Sequence, residues 1–346
     1  MKNLKTILSM IIVGCCAFIP MMNVEAISPA EIGYSGSNVT SENREGTYYL
    51  TLTGDAIQDL IVSDGETVVL DLNGHTLVNF TPAVETIKVN EGGVLTIVDN
   101  SLEKTGTVSQ VENSTYGPIT NYGTLTIESG NFTTPLDFYV VRNEGANLTI
   151  NGGNFTTSST TTSLIGNIKY NELSADLPTM TINGGTFEAG SDVIRNNENT
   201  AVTITGGTFT SQSAFALDNL GTATVTGGTF TSVENSAIRH QIDSTNPDFS
   251  SLNITNATLN SANDKTDYAI YDKAVNEDVT DDYNVTTDAD GNLVLEELTP
   301  VTDVTEDKEE VSNEETPNTS DGVLLFLGLT IVGFAGTALA YRRLHN

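Results

Sequence analysis

The chain has 346 residues, with 45 Asp+Glu against 14 Lys+Arg and a formal net charge of −31. Such a chain is repelled by nucleic acid and by anionic lipid surfaces, so neither is an expected partner. It has no Trp and three His, and its only two cysteines, Cys15 and Cys16, fall in a leader expected to be removed. That excludes a disulfide, a thiol nucleophile and a zinc thiolate site from the mature protein.

Lys2 and Lys5 precede an apolar run from Thr6 to Met22, and the small-residue site "VEA" closes at Ala26. This is the layout of a secretory signal peptide, so residues 1–26 are predicted to be a signal helix and the chain to be exported. A lipoprotein signal ending at Cys15 is the competing reading, but the residues after Cys15 stay apolar through Met22. Residues 27–46 read as an N-terminal extension.

From residue 47 to 275 one pattern keeps returning. The stretch "TINGGTFEAG" from Thr181 has close copies in "TINGGNFTTS" from Thr149, "TITGGTFTSQ" from Thr203 and "TVTGGTFTSV" from Thr224. Aligning all copies gives apolar pairs at Leu70/Leu72, Leu95/Ile97, Leu125/Ile127, Leu148/Ile150, Met180/Ile182, Val202/Ile204, Ala223/Val225 and Leu252/Ile254. The Phe slot then holds Leu77, Val108, Phe132, Phe155, Phe187, Phe209, Phe230 and Leu259, at spacings of 31, 24, 23, 32, 22, 21 and 29 residues.

Each unit reads as strand. An i, i+2 apolar pair with a polar residue between them points two side chains to one face and one to the other, and Gly-Gly then supplies a bend. A second short run, such as "YVVRN" or "FALDN", precedes each pair and ends on Asn121, Asn143, Asn196 or Asn219. Two or three short strands per unit of about 22 residues, with no helix-period segment, fit a coil of a parallel β-helix, and a sandwich would need a far longer unit. Eight coils stacked at about 4.8 Å would make a rod of roughly 40 Å. Like residues would then stack on like, building a core that no single repeat can form. The stretch "LDLNGHTLVN" from Leu70 and the "GGTF" copies resemble those of secreted proteins with a pectate-lyase-like fold. The resemblance implies an all-β, right-handed parallel β-helix of about eight coils.

Residues 276–295 carry the turn "TDADGNLVL" and are predicted to cap the last coil, which would otherwise leave a sticky edge. "DADGN" from Asp288 lacks EF-hand spacing and reads first as a turn, so no metal is predicted. Residues 296–315, "EELTPVTDVTEDKEEVSNEE", have no apolar period and read as an acidic, extended stalk. At 322–340 the stretch "GVLLFLGLTIVGFAGTALA" is long enough to cross a bilayer as a transmembrane helix, and Arg342 and Arg343 beyond it suit a cytoplasmic end. Just before it stands "TPNTSD". Together these resemble the sorting signal of Gram-positive cell-wall proteins, in which a sortase cuts after a Thr and joins it to peptidoglycan. Pro317 and Thr319 match that family's Leu-Pro-x-Thr-Gly motif, whereas Thr316 and Ser320 depart from it. The resemblance implies a protein anchored to the cell wall on the outer surface of the cell, with sortase and peptidoglycan as partners; a plain single-pass anchor is the alternative.

Catalytic constellations are sparse. His345 is cytoplasmic on this layout, His75 lies in a turn, and only His240 is expected to face a groove, which gives a Ser-His-Asp site weak support. The residue before the Asn slot runs Thr120, Arg142, Gly166, Arg195, Asp218, Arg239 and Tyr271 in successive coils, and alternation points it outward. Inserts from Ile168 and Gln241 adjoin this column. One reading is a carbohydrate-binding or active-site face, with Arg142, Arg195, Asp218, Arg239 and Tyr271 as binding residues and Asp192, Asp218, Arg195, Arg239 and His240 as the weak catalytic set. The other is an exposed ladder in which Asp218 pairs with Arg195 and Arg239 for at most about 1 kcal/mol per pair. No cofactor is predicted. The expected function is an adhesin or scaffold binding an extracellular glycan or a host surface protein, with a polysaccharide lyase or glycoside hydrolase as the alternative.

Overall fold

A computed structural model describes residues 38–145, 147–169, 177–290 and 293–298. The expected signal peptide, most of the stalk, the sorting motif with Pro317 and Thr319, and the apolar span lie outside the described residues. Within them, no helix is long and apolar enough to cross a membrane.

Thr124–Ile127, Asn131–Thr134 and Val141–Glu144 form one coil of three short strands. Each strand pairs in parallel with its counterpart one coil away, so Leu125 meets Leu148, Phe132 meets Phe155 and Asn143 meets Asn167. Repetition builds three long sheets, which we call the Leu/Ile, Phe and Asn sheets after the residues each points inward. Setting aside one antiparallel strand at an end of the Leu/Ile sheet and one at an end of the Asn sheet, each sheet has nine parallel strands among the described residues. The architecture is an all-β parallel solenoid.

Among the described residues nine coils stand where the repeat pattern gives eight. The additional coil comprises Thr47–Leu52, Ala56–Ile57 and Leu60–Val62. It puts Ala56 in the Phe slot, opposite Leu77, so the slot has no bulky residue to mark it. Register differs by two residues in the next coil, where Val68 and Leu70, rather than Leu70 and Leu72, oppose Leu95 and Ile97. Val68, Leu70 and Leu72 alternate and are all buried, so period-2 patterning allows either pairing.

Two ladders fill the inside. Phe132, Phe155, Phe187, Phe209 and Phe230 are fully buried and stack with ring centroids 4.6–4.8 Å apart and planes within 14°. The bend before each Phe has glycine at its second position and, in every one of these coils but that of Phe132, where Ser129 stands, at its first as well. A Cβ at Gly152, Gly184, Gly206 or Gly227 would sit 2.5–3.0 Å from a carbonyl oxygen of the previous coil. The second glycines, from Gly130 to Gly228, have φ between 102° and 126°, a region hostile to other residues.

The second ladder is polar. Asn121 Nδ2 donates to Asn143 Oδ1 at 2.8 Å, and the chain of donors continues through Asn167, Asn196 and Asn219 at 2.8–2.9 Å. The other hydrogen of each Nδ2 goes to a backbone carbonyl one coil on, at 3.0–3.1 Å from Nδ2. An amide with both donors and its acceptor engaged can be buried without the desolvation penalty of an orphaned group.

Each end carries one antiparallel strand. Val39–Arg44, inside the predicted extension, pairs antiparallel with Thr47–Leu52. At the other end Glu277–Asp278 turns back against Tyr268–Asp272, and Tyr283–Thr287 forms a hairpin with Leu293–Glu297, whose Leu293 packs on the core. The hairpin runs to Glu297, two residues past the 276–295 bounds expected of a cap.

Deleting one ring from the Phe ladder tests the core. Phe209→Ala should lower stability by about 3–5 kcal/mol, as large-to-small changes do in a tightly packed interior. Urea melts read this directly, and a loss below about 1 kcal/mol would contradict a packed ladder.

Candidate functional site

The outward face of the Asn sheet differs in kind from the other two. Outward columns of the Leu/Ile and Phe sheets are dominated by Thr and Asn, as in Thr126, Thr149, Thr181, Thr203 and Thr224. On the Asn sheet the register instead brings Arg142, Gly166, Arg195, Asp218 and Arg239 into one column. Tyr271 is not its next member. Ala269 opposes Arg239, and Tyr271 opposes Gln241 two residues farther along the strand. The last coil has Ile270 in the slot that holds Asn from Asn121 to Asn219, so nothing marks it and alternation alone allows a slip of two.

Asp218 is fully buried, although it points away from the core. Its Oδ2 accepts from Arg195 Nη1 at 2.8 Å and from Arg239 Nη2 at 2.7 Å. Its Oδ1 accepts from Arg239 Nε at 2.8 Å and Gln241 Nε2 at 2.9 Å. Four donors thus occupy the two oxygens, and the Arg239 pair is bidentate. The Arg239 guanidinium also lies over the Phe215 ring, 4.6 Å from its centroid. Arg195 is braced by Asn197 Oδ1 at 3.0 Å. The expected exposed ladder is thereby corrected. The arginines keep about a third of their side-chain surface in water, but the carboxylate between them has none. A buried charge held this way is strongly coupled to its partners, beyond the 1 kcal/mol or so of a surface pair.

The glycine in this column has a geometric cause. A Cβ on Gly166 would lie 2.8 Å from the ring of Tyr139, which fills that place. Burial raises the pKa of the Tyr139 phenol, keeping it neutral among the charges around it.

Asp192 sits before the strand Ile194–Asn196 and is nearly buried. Its Oδ1 accepts from the Phe215 backbone N–H at 3.1 Å, and Ser163 Oγ lies 3.4 Å from Oδ2. Burial, reinforced by the charge of Asp218, pushes its pKa upward. It fastens one coil to the next at the corner of the sheet.

His240 corrects a second expectation. It occupies the next rung of the asparagine ladder, inside the solenoid, and faces no groove. Asn219 Nδ2 approaches its Nδ1 at 3.2 Å, so the ring nitrogen stands in for an asparagine oxygen. Burial lowers its pKa to about 4, and the ring is neutral near pH 7.

A second cluster lies beyond the reach of column alignment. Arg142 forms an ion pair with Glu144 on its own strand, and the Tyr122 phenol lies within electrostatic reach of the same carboxylate. Burial and Glu144 raise the pKa of Tyr122 to about 12, and Lys88 lies 5.5 Å from its ring centroid. The signal is present in the sequence as an i, i+2 Arg-x-Glu on a strand. Glu144 simply stands past the Asn slot that closes each aligned run.

This face offers partly exposed guanidinium groups, aromatic rings and amides, and hollows between them. One hollow of about 490 Å³ is lined by Lys169, Arg195, Asn197, Glu198, Asn199 and Leu220. Among the described residues, Asp218, Asp192 and His240 are each committed to structural bonds. Among the described residues no group of three His, Cys, Asp or Glu could hold a metal ion. No family model, no curated protein and no solved structure matches the chain.

Two substitutions test this description. His240→Asn continues the ladder with the residue it favours. In the native chain, stability should fall as pH drops from about 6.5 towards 4, because the unfolded imidazole takes up a proton that the folded one refuses. The variant should lose that component of the slope, on the order of 3 kcal/mol, in thermal melts across this range. Asp218→Asn should cost about 2–4 kcal/mol in urea melts, somewhat below the cost of breaking a fully buried pair, because water still reaches the arginines. Retention of full stability would mean that the cluster is an ordinary surface ladder.

Proposed function

We propose that the chain is a secreted surface protein, anchored to the cell wall through Pro317 and Thr319, whose solenoid displays a binding face to extracellular glycans or host surface proteins. On this reading the solenoid is a right-handed β-helix of the pectate-lyase-like kind, the hand that parallel crossovers almost always take. The acidic stalk holds it away from the wall. Sortase and peptidoglycan are the partners in anchoring.

The observation that carries binding over catalysis is the saturation of Asp218 by Arg195, Arg239 and Gln241. A carboxylate that accepts four hydrogen bonds is a poor general base or nucleophile, yet it fixes two guanidinium groups rigidly at the surface. Pre-positioned arginines and half-buried rings are what a recognition surface requires. One observation favours the enzymatic alternative, a polysaccharide lyase or glycoside hydrolase. Asp192 has a raised pKa and lies within electrostatic reach of Asp218, as an acid partnered with an ionised carboxylate would. Its bond to the Phe215 N–H counts against that role.

Incubation with plant, host and microbial polysaccharides distinguishes the two readings. Binding without new reducing ends or unsaturated uronates is expected, and the appearance of either product would establish the enzyme. For the anchor, Thr319→Ala should shift the protein from the fraction released by muramidase to the fraction extracted from membranes by detergent. If the unaltered protein is already extracted by mild detergent alone, the covalent link to the wall is wrong.

A further inference from the structure

The face of the Asn sheet ends in a hollow that the ion-pair cluster does not fill. Beyond Arg239 the outward column drops to Ala269, whose methyl group leaves the position open. The chain then turns back through Glu277–Asp278 and a single turn at Thr280–Asp282, closing the far side. The resulting pocket of about 250 Å³ is lined by residues that include Phe215, Arg239, Lys265, Ala269, Tyr271 and Asp281. Its walls are pre-set. Phe215 is half-buried beneath the Arg239 guanidinium, and the Tyr271 phenol is hydrogen-bonded to Asn276. Asp218 engages Nε and Nη2 of Arg239 and so orients the group, while Nη1 is not used in that contact.

We propose that this pocket binds the terminal ring of a neutral glycan, so that the protein recognises chain ends rather than the interior of a polysaccharide. The proposal rests on the glycan-binding reading given above and narrows it. The volume lies below the 300–1,000 Å³ or so of sites for drug-sized ligands, which suits one sugar ring. Hydroxyl groups both donate and accept, and the lining supplies donors in Arg239 and Lys265 beside an acceptor in Asp281. Tyr271 offers an aromatic face to the apolar side of a ring. A uronate or sialate is disfavoured, because Asp264, Asp278 and Asp281 share the lining and the whole chain carries −31. The turn at Thr280–Asp282 lines one side of the pocket, and the volume leaves room for about one ring.

The test uses the full chain on a printed array of neutral and acidic glycans, followed by titration calorimetry with the best oligosaccharide. Neutral glycans with a free end should bind, and blocking that end should abolish binding. Ala269→Leu, which fills the pocket from an outward position, should weaken affinity about tenfold or more with the melting temperature retained. Should that variant fail to fold, Asp281→Ala and Lys265→Ala on the exposed rim decide, each expected to weaken affinity about threefold or more. Unchanged affinity in the folded variants would place the glycan site elsewhere on the molecule and overturn the pocket alone. Binding only of acidic glycans, or equal binding of end-blocked chains, would overturn the ligand class. An array with no bound glycan at all would overturn the pocket and the glycan reading of the whole face together.

Discussion

Everything in this molecule depends on one constraint, that each residue lies about 4.7 Å from its counterpart in the next coil. The spacing is imposed by backbone hydrogen bonds that run from strand to strand and continue through the turns. At that distance a side chain must tolerate a close copy of itself on either side. Aliphatic chains and aromatic rings do so by stacking, and an asparagine does so because its amide has a donor at one end and an acceptor at the other. The interior consists of these solutions. A charge cannot follow the rule, and the Asn-sheet column resolves the conflict by alternating sign, with Asp218 between Arg195 and Arg239.

The same constraint explains why so much of the fold is legible in the sequence. Gly-Gly-x-Phe fixes the bend, the ring and the phase of the preceding apolar pair at once, so any coil carrying it is placed without ambiguity. Where that marker is absent, alternation alone remains, and it is blind to shifts of two. The coil beginning at Thr47, the Val68 and Leu70 pairing and the position of Tyr271 all differ from expectation for this one reason. Sequence periodicity also cannot tell a rung that points inward from a polar residue beside a groove. His240 reads as a groove residue for that reason, although it occupies the asparagine column.

The candidate site is legible as a column and illegible as an environment. Arg195, Asp218 and Arg239 stand out together in the repeat, yet their setting also draws on Gln241, which donates to Asp218, on Phe215 beneath Arg239 and on Tyr139 against Gly166, side chains from different coils. Periodicity orders residues along the stack. It carries no information on side chains that lean sideways to cover a neighbour, and these convert an ordinary ion pair into a rigid, desolvated one.

The direction of the coil-to-coil hydrogen bonds has a mechanical consequence. In a solenoid these bonds lie along the stacking axis, so a pull between the two ends loads them in tension rather than in shear. Rungs then separate singly from whichever end yields first, as a zip opens, instead of failing together. Each released coil frees about 22 residues of chain, a contour of about 70–80 Å at the reach of extended backbone. The stack would therefore lengthen under load in steps, each lost coil exposing another rung of the Phe and Asn ladders on which it could re-form when the load falls. A surface built in this way dissipates a sudden tug as a series of small openings and keeps the template for its own repair.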